Sequence, residues 1–247
     1  MSWNVQHKRD EGSHPRRHQW VADTISAHQP AVCCLQEVGL ALRGNLPQLL
    51  PQYRIYGADT CAERGAESVP VLVHHDAGAV VEARTFWIGS DPSSPLRAWD
   101  ARHPRCATAV KIAGITWDLS VVSCHLDHRG RRARLLGAGQ LAQWAVEHRP
   151  AVIAGDLNAG PGNPAYQALV GPPPRLQDTR LSANAVSGPA ATWTSGHGLL
   201  RRRLDHLLVD HQLIVRNHRT LDGPPGRKPI SDHRPILAEV TGPNELP

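Results

Sequence analysis

Residues 151–163 read AVIAGDLNAGPGN. A run of small and β-branched apolar residues stops at Asp156-Leu157-Asn158 and gives way to a turn rich in glycine and proline. Period-two alternation puts Asp156 and Asn158 on one face of a strand, with Leu157 on the other. Two oxygen-bearing side chains then leave the carboxyl end of a strand together, where α/β proteins keep their chemistry. An Asx-turn closing an ordinary strand would read the same way, so the decision falls to the rest of the chain.

Outward from this stretch the pattern is strand-rich. AVCCLQEV, VPVLVHH, AVVEARTFWI, CATAVKI and ITWDLSVVSCHL read as strands, as do ATWTS, RLDHLLVD, QLIVRNHRTL and PILAEV nearer the C terminus. MSWNV reads as the tail of a strand. Helical spacing marks HPRRHQWVADTISAHQP, stopped by Pro30, and GLALRGNLPQLL, which Pro47 is expected to break. A third helix, RGRRARLLGAGQLAQWAVEHRP, carries the stripe Leu135, Ala138, Leu141, Ala142 and Ala145. A short one opens at NPAYQAL, with Asn163 as N-cap and Pro164 in the first helical position. Strands dominating with a few helices between them suggest two sheets packed face to face with helices outside.

The 247 residues suit one domain over 1–247, and 40% apolar content is enough for a full core. A formal charge of +5, nearly all from arginine, favours an anionic partner only weakly. No signal-peptide core and no apolar stretch near membrane-spanning length is present, so no membrane partner is expected. Cys33, Cys34, Cys61, Cys106 and Cys124 lack zinc-ligand spacing. All but Cys61 sit in apolar runs where a free thiol behaves as a small buried hydrophobe, which points to a reduced, cytoplasmic setting.

Six strand ends share one feature, a polar side chain able to meet a metal or a phosphate directly after apolar residues. They carry Asn4, Glu37, His125, the Asp156/Asn158 pair, Asp205, and Asp232 with His233. Each has an ordinary explanation as a cap, turn or surface pair; six together are harder to dismiss. Carboxylate and carboxamide oxygens suit Mg²⁺ or Mn²⁺ completed by water and phosphate. A histidine beside a carboxylate can stabilise a phosphoryl transition state.

The ordered string WN, QE, HLD, GDLN, RLDHLLV, SDHRP resembles the endonuclease/exonuclease/phosphatase superfamily from Asn4 to Pro235. The resemblance implies an α+β fold, a four-layer αββα sandwich of two mainly antiparallel sheets flanked by helices, with the active site at one rim. It makes Glu37 the principal metal ligand, with Asn4 nearby in the metal and phosphate shell and Asp232 completing the site. It gives Asp156 the attacking water, Asn158 the phosphate, and Asp205 the task of holding His233 against that phosphate. His125 is placed against the phosphate or leaving group, where abasic-site endonucleases of this fold usually have a tyrosine, and Glu67 is its candidate partner. Relatives have a longer first strand, and an arginine ends the strand that here reads VPVLVHHD; His74 or His75 could take over its contact or be exposed.

The expectation is therefore a Mg²⁺- or Mn²⁺-dependent phosphoesterase, nuclease-like, acting as a monomer on a phosphate ester that could be nucleic acid. Arg102, Arg105 and Trp99, in the basic loop 89–105, are candidate substrate contacts, and the arginines of HRGRRAR could face the site. Two alternatives stay open: a pathway enzyme for a small metabolite, and a silent phosphate binder on the same fold.

Overall fold

The structure is a computed structural model and describes residues 1–6, 16–57, 67–114, 117–172, 176–195, 201–222 and 230–242. In chain order the elements are β1 (Ser2–Asn4), α1 (Arg17–His28), β2 (Val32–Gln36), α2 (Leu40–Leu49), β3 (Tyr53–Tyr56), β4 (Val71–His74), β5 (Ala79–Trp87), β6 (Cys106–Ala113) and β7 (Leu119–His125). There follow α3 (Arg131–Glu147), β8 (Ala151–Asp156), α4 (Pro164–Val170), β9 (Gln177–Asp178), α5 (Thr179–Ser182) and β10 (Ala185–Ser187). The last are β11 (Trp193–Thr194), β12 (Arg201–Arg202), β13 (Asp205–Val209), β14 (Ile214–Thr220) and β15 (Ile236–Thr241).

One sheet has the order β10-β14-β15-β1-β2-β4-β3 and the other β5-β6-β7-β8-β13-β9, with β11 and β12 forming a separate pair. Most neighbours are antiparallel; β1–β2, β10–β14 and β7–β8 are parallel. The strands alternate faces, and each face has its own core. Trp3, Cys33, Leu35 and Leu72 pack outward against Val21, Ile25, Leu42 and Leu46 of α1 and α2. On the other sheet Val122, Cys124, Ile153 and Leu208 pack outward against α3 and α4. Between the sheets lie Cys34, Val71, Val110, Val121, Val152, Ala154 and Leu207. This is the expected αββα sandwich.

The middle layer is what positions a site. Along β7 the inward residues run Val121, Ser123, His125; along β8 they run Val152, Ala154, Asp156. The apolar layer thus becomes polar toward one rim. Gln36 and Ser123 mark the transition, joined by a Gln36 Nε2 to Ser123 Oγ hydrogen bond of 3.3 Å. Parallel register places His125 beside Asp156, and antiparallel register places Asp205 on the other side of Asp156. Asp205 therefore begins its strand rather than ending it, and reaches the same rim because β13 runs opposite to β8.

Several local expectations change. Pro47 lies inside α2 without breaking it, two residues before its end. Leu135 is 41% exposed, and the buried face of α3 is Ala133, Gly137, Ala138, Leu141, Ala142 and Ala145 with Trp144 and Arg134. Asn163 and Pro164 cap α4 as expected, the Asn163 side chain accepting the Ala165 N–H. Cys33, Cys34 and Cys124 are free and buried, and burial pushes Cys33 and Cys34 up to about 12. Cys106 is instead disulfide-bonded, so its apolar run does not mark a free thiol; Cys61 lies outside the described residues. His74 and His75 sit at the opposite end of the sandwich, because β4 is antiparallel to β2 with Val32 opposite Val73. No described helix is long and apolar enough to cross a membrane.

Candidate active site

At the polar rim, four buried side chains converge on Asp156. Its Oδ2 lies 3.0 Å from Asn4 Nδ2, 3.5 Å from His125 Nε2 and 3.6 Å from His233 Nε2. The fourth, Asp205, reaches it through His233, whose Nδ1 is 2.8 Å from Asp205 Oδ2. Asp156 Oδ1 accepts the Asn158 N–H at 2.8 Å. The Asx-turn is thus real, and Asn158 is carried round it in the left-handed region (φ 49°) rather than along a continuing strand. The turn aims Asn158 Nδ2 at Leu126 O (3.0 Å) and at His125 Nε2 (3.1 Å). Its base is held by Leu157 N–H to Leu204 O, 2.9 Å, and by the His206 ring on Ala159 O, 2.9 Å.

The charges divide sharply. Burial opposes a charge on His233, but Asp205 and Asp156 outweigh it and raise its pKa to about 10, so the ring is an imidazolium at neutral pH. His125 moves the other way, well below the ordinary histidine value, through burial and then the Arg105 charge. Arg105 Nη1 sits 3.0 Å from its Nδ1 and Asn158 Nδ2 approaches the other ring nitrogen. A ring approached by a donor at each nitrogen is poorly placed to carry a second proton. Burial raises Asp156 to about 6 against the pull of His233. Glu37 rises to about 7, first from burial and then from repulsion by Glu67.

A model of the endonuclease/exonuclease/phosphatase family matches residues 1–233. The chain belongs to that family. An endonuclease/exonuclease/phosphatase protein from Bacteroides vulgatus is similar to it at 25% identity, with a TM-score of 0.89 over 98% of this chain and 97% of the other. A mannosyl-6-phosphatase from Bacteroides thetaiotaomicron shares the fold at 22% identity and TM-score 0.86, covering 97% of this chain and 98% of the other. TDP2 from D. rerio, complexed with a single-strand DNA product, shares it at 16% identity and TM-score 0.77, with 97% of each chain covered. No curated protein sequence matches.

Asn4, Glu37, His125, Asp156, Asn158, Asp205, Asp232 and His233 all stand at this rim. Asn4 differs in orientation from a metal ligand: its Oδ1 accepts the Gln6 N–H at 2.9 Å, so its Nδ2 faces the site and bridges Glu37 Oε1 and Asp156 Oδ2, both at 3.0 Å. It holds two carboxylates together as a donor and turns its oxygen away from them. Glu67 Oε2 lies 3.7 Å from His125 Nδ1, but Arg105 is closer to that nitrogen and also meets Glu67 at 3.4 Å. Arg105 therefore stands at the same rim. Arg102 is exposed, and its backbone N–H is bound by Asp127 at 2.9 Å. Trp99 is partly buried and packs against the core cluster that α3 covers. Of the HRGRRAR arginines, Arg134 is buried on Asp127 O at 2.8 Å, while Arg129, Arg131 and Arg132 are exposed.

Sequence reading missed the supports. Trp193 Nε1 donates to Asp232 Oδ2 at 3.0 Å, Trp3 Nε1 donates to His233 O at 3.1 Å, and Thr192 Oγ1 accepts the Asp205 N–H at 3.0 Å. Only the WN dipeptide carried any signal for these, since the contacts join distant segments.

The donor set fits a divalent cation. Glu37, Glu67 and His125 each bring a ligand atom within 4.8 Å of the others, as do Asp156, Asp205 and His233. Asp205 Oδ1 and Asp232 Oδ1 are buried with no hydrogen-bond partner among the described residues. Carboxylate oxygens pressed together, with Glu37 raised by burial and then by its acidic neighbour, favour a hard cation over a structural zinc.

Proposed function

We propose that the chain is a Mg²⁺- or Mn²⁺-dependent phosphoesterase cleaving a phosphodiester, working as one domain over residues 1–247 and as a monomer. The observation that carries this reading is one buried carboxylate, Asp156, flanked by two histidines in opposite protonation states. Groups whose surroundings push their pKa values apart can divide the work of an acid and a base.

On this reading Asp156 orients a water and accepts its proton as the water oxygen attacks phosphorus. His233, kept cationic and aimed by Asp205, donates to a phosphoryl oxygen as negative charge builds there. Asn158 donates its amide to the same phosphoryl group. His125, held neutral beside Arg105, faces the phosphate or the departing oxygen. Glu37 would hold the cation, with Glu67 near enough to contribute; when bound, the cation neutralises phosphoryl charge and aids the leaving oxygen. Asn4 keeps Glu37 and Asp156 in register with one another.

Arg105 supplies positive charge at the rim, and His128 and His103, stacked at 5.9 Å between ring centres, extend the same wall. That wall carries one guanidinium, already beside Glu67 and Asp127, so it does not choose among phosphate esters, nucleic acid included. The names of the neighbours, a sugar phosphatase and a DNA-bound protein, leave both branches in view. The test is a panel of a chromogenic phosphodiester, a phosphomonoester and plasmid DNA, each with Mg²⁺, Mn²⁺ or EDTA. EDTA-sensitive cleavage supports the proposal and its preferred substrate names the branch. A folded, cation-binding protein that cleaves none of them favours the narrow metabolite enzyme or the silent binder.

A further inference from the structure

We infer that Arg17 is a positioning residue that locks together the two segments carrying Asn4 and the Asp232-His233 pair. Arg17 is the first residue of α1 and is 3% exposed. Its Nη2 donates to the carbonyl oxygens of Val5 and of Gln6, the latter at 3.2 Å, and its Nε reaches Ile230 O at 3.4 Å. Val5 and Gln6 follow Asn4 directly, and Ile230 is two residues before Asp232. One planar guanidinium therefore spans the backbone leaving β1 and the backbone approaching the catalytic histidine, a geometry that the forked donors of arginine allow.

The placement is costly on its own terms. A cation at a helix N terminus opposes the helix dipole, and burying one requires full hydrogen bonding. What it secures is a strained junction. Gln6 has φ 54°, in the left-handed region, and persists there only if its surroundings hold it. Gln6 is also the hub of the rim: its N–H meets Asn4 Oδ1 at 2.9 Å and its Oε1 accepts the Asp232 N–H at 3.4 Å. Ser231 Oγ donates to Asn4 O at 2.7 Å and accepts the His233 N–H at 3.1 Å. Releasing Gln6 and Ile230 would let Asn4 drift from Glu37 and Asp156, and His233 from Asp156. Misplacing catalytic groups by about 1 Å can cost a hundredfold in rate.

This role rests on the proposed phosphoesterase activity, so the experiment carries a second readout. Wild type, Arg17→Met, Arg17→Lys and the remote control Arg149→Met are compared on a chromogenic phosphodiester with Mg²⁺, at a temperature where each is folded by circular dichroism. Arg149 sits 3.3 Å from buried Asp210 at the opposite end of β8 and β13, so its loss destabilises without touching the rim. Arg17→Met is expected to lower kcat by roughly ten- to a hundredfold with KM little changed, and Arg17→Lys to recover part of it. Amide exchange at Gln6, Asp232 and His233 should quicken in Arg17→Met and stay at the wild-type rate in Arg149→Met. A folded Arg17→Met with wild-type kcat and exchange overturns the inference, as does an equal loss of kcat in Arg149→Met. If Arg17→Met does not fold, Arg17→Lys decides: reduced kcat with faster exchange supports the role, and wild-type values in both refute it. If wild type turns nothing over, the phosphoesterase reading fails separately, and amide exchange alone still decides the role of Arg17.

Discussion

Asp205 Oδ2 lies 2.8 Å from His233 Nδ1, and both residues are buried. The pair turns a histidine into a fixed cation. His233 is raised to about 10, above its ordinary 6.5, so the stability it contributes is fully present below pH 6.5 and is lost as pH rises through about 10. Asp205→Asn should move the His233 titration down by several units, read by NMR of the imidazole. The same change should lower kcat by about a hundredfold or more, as when an orienting carboxylate is removed from a catalytic histidine. An unmoved His233 titration would show that Asp205 does not hold the proton there.

Glu37 gives the metal-free protein a signature of its own. Its pKa is raised to about 7 from 4.5, so ionising it costs stability that is lost as pH climbs between those values. A cation that relieves the repulsion should raise the melting temperature more at pH about 8 than at pH about 5. At roughly a hundred times its dissociation constant the ion stabilises by about 2.7 kcal/mol, or about 5–10 °C for a chain of this size. Glu37→Gln should abolish most of that rise. Equal shifts in wild type and Glu37→Gln would place the ion elsewhere.

Away from the rim, His218 is buried with its Nδ1 2.9 Å from Thr179 Oγ1. Burial, then the Arg180 charge, lowers it to about 4, so the folded protein resists protonation that the unfolded chain accepts. Its stability contribution is full above pH 6.5 and is lost as pH falls toward 4, by at most about 3 kcal/mol. Urea unfolding at pH about 7.5 and about 4.5 should show a smaller acid loss in His218→Gln than in wild type; identical losses would contradict this.

Two glycines should respond in opposite senses. A Cβ on Gly155 would stand 2.0 Å from the Cys124 carbonyl oxygen, where β7 and β8 pair one step before His125 and Asp156. Gly155→Ala should cost about 3 kcal/mol or prevent folding. Gly139, in α3, has open space around that position, and Gly139→Ala should stabilise by roughly 0.5–1 kcal/mol. Thermal unfolding of both checks the pair.

Much of this rim was legible because a sandwich sorts its middle layer by strand position. Val152, Ala154 and Asp156 share one face by alternation, and GDLN announces where that face turns polar. His125 ends β7 in the same way, while Glu37, past the end of β2 with φ 54°, and His233, outside the named strands, were read from the motifs QE and SDHRP. Contacts that join distant segments were not: Trp193 on Asp232, Thr192 on Asp205 and Arg17 on Ile230 have no local signature. Leu135 misled because an α3 stripe one residue out of phase is equally apolar to the eye, while packing against Ile88 and Leu126 selects Gly137. Trp99 is an aromatic in a basic loop, and its partly buried packing on the core is a contact with no local signature.

The central claim is that Asp156 activates water beside a cation. The most direct measurement is the initial rate on a chromogenic phosphodiester with Mg²⁺, for wild type and Asp156→Asn, each repeated with EDTA. The account predicts turnover by wild type that EDTA abolishes, and a loss of about a thousandfold or more in folded Asp156→Asn. Undiminished turnover in Asp156→Asn, or a wild-type rate that EDTA leaves unchanged, would contradict it.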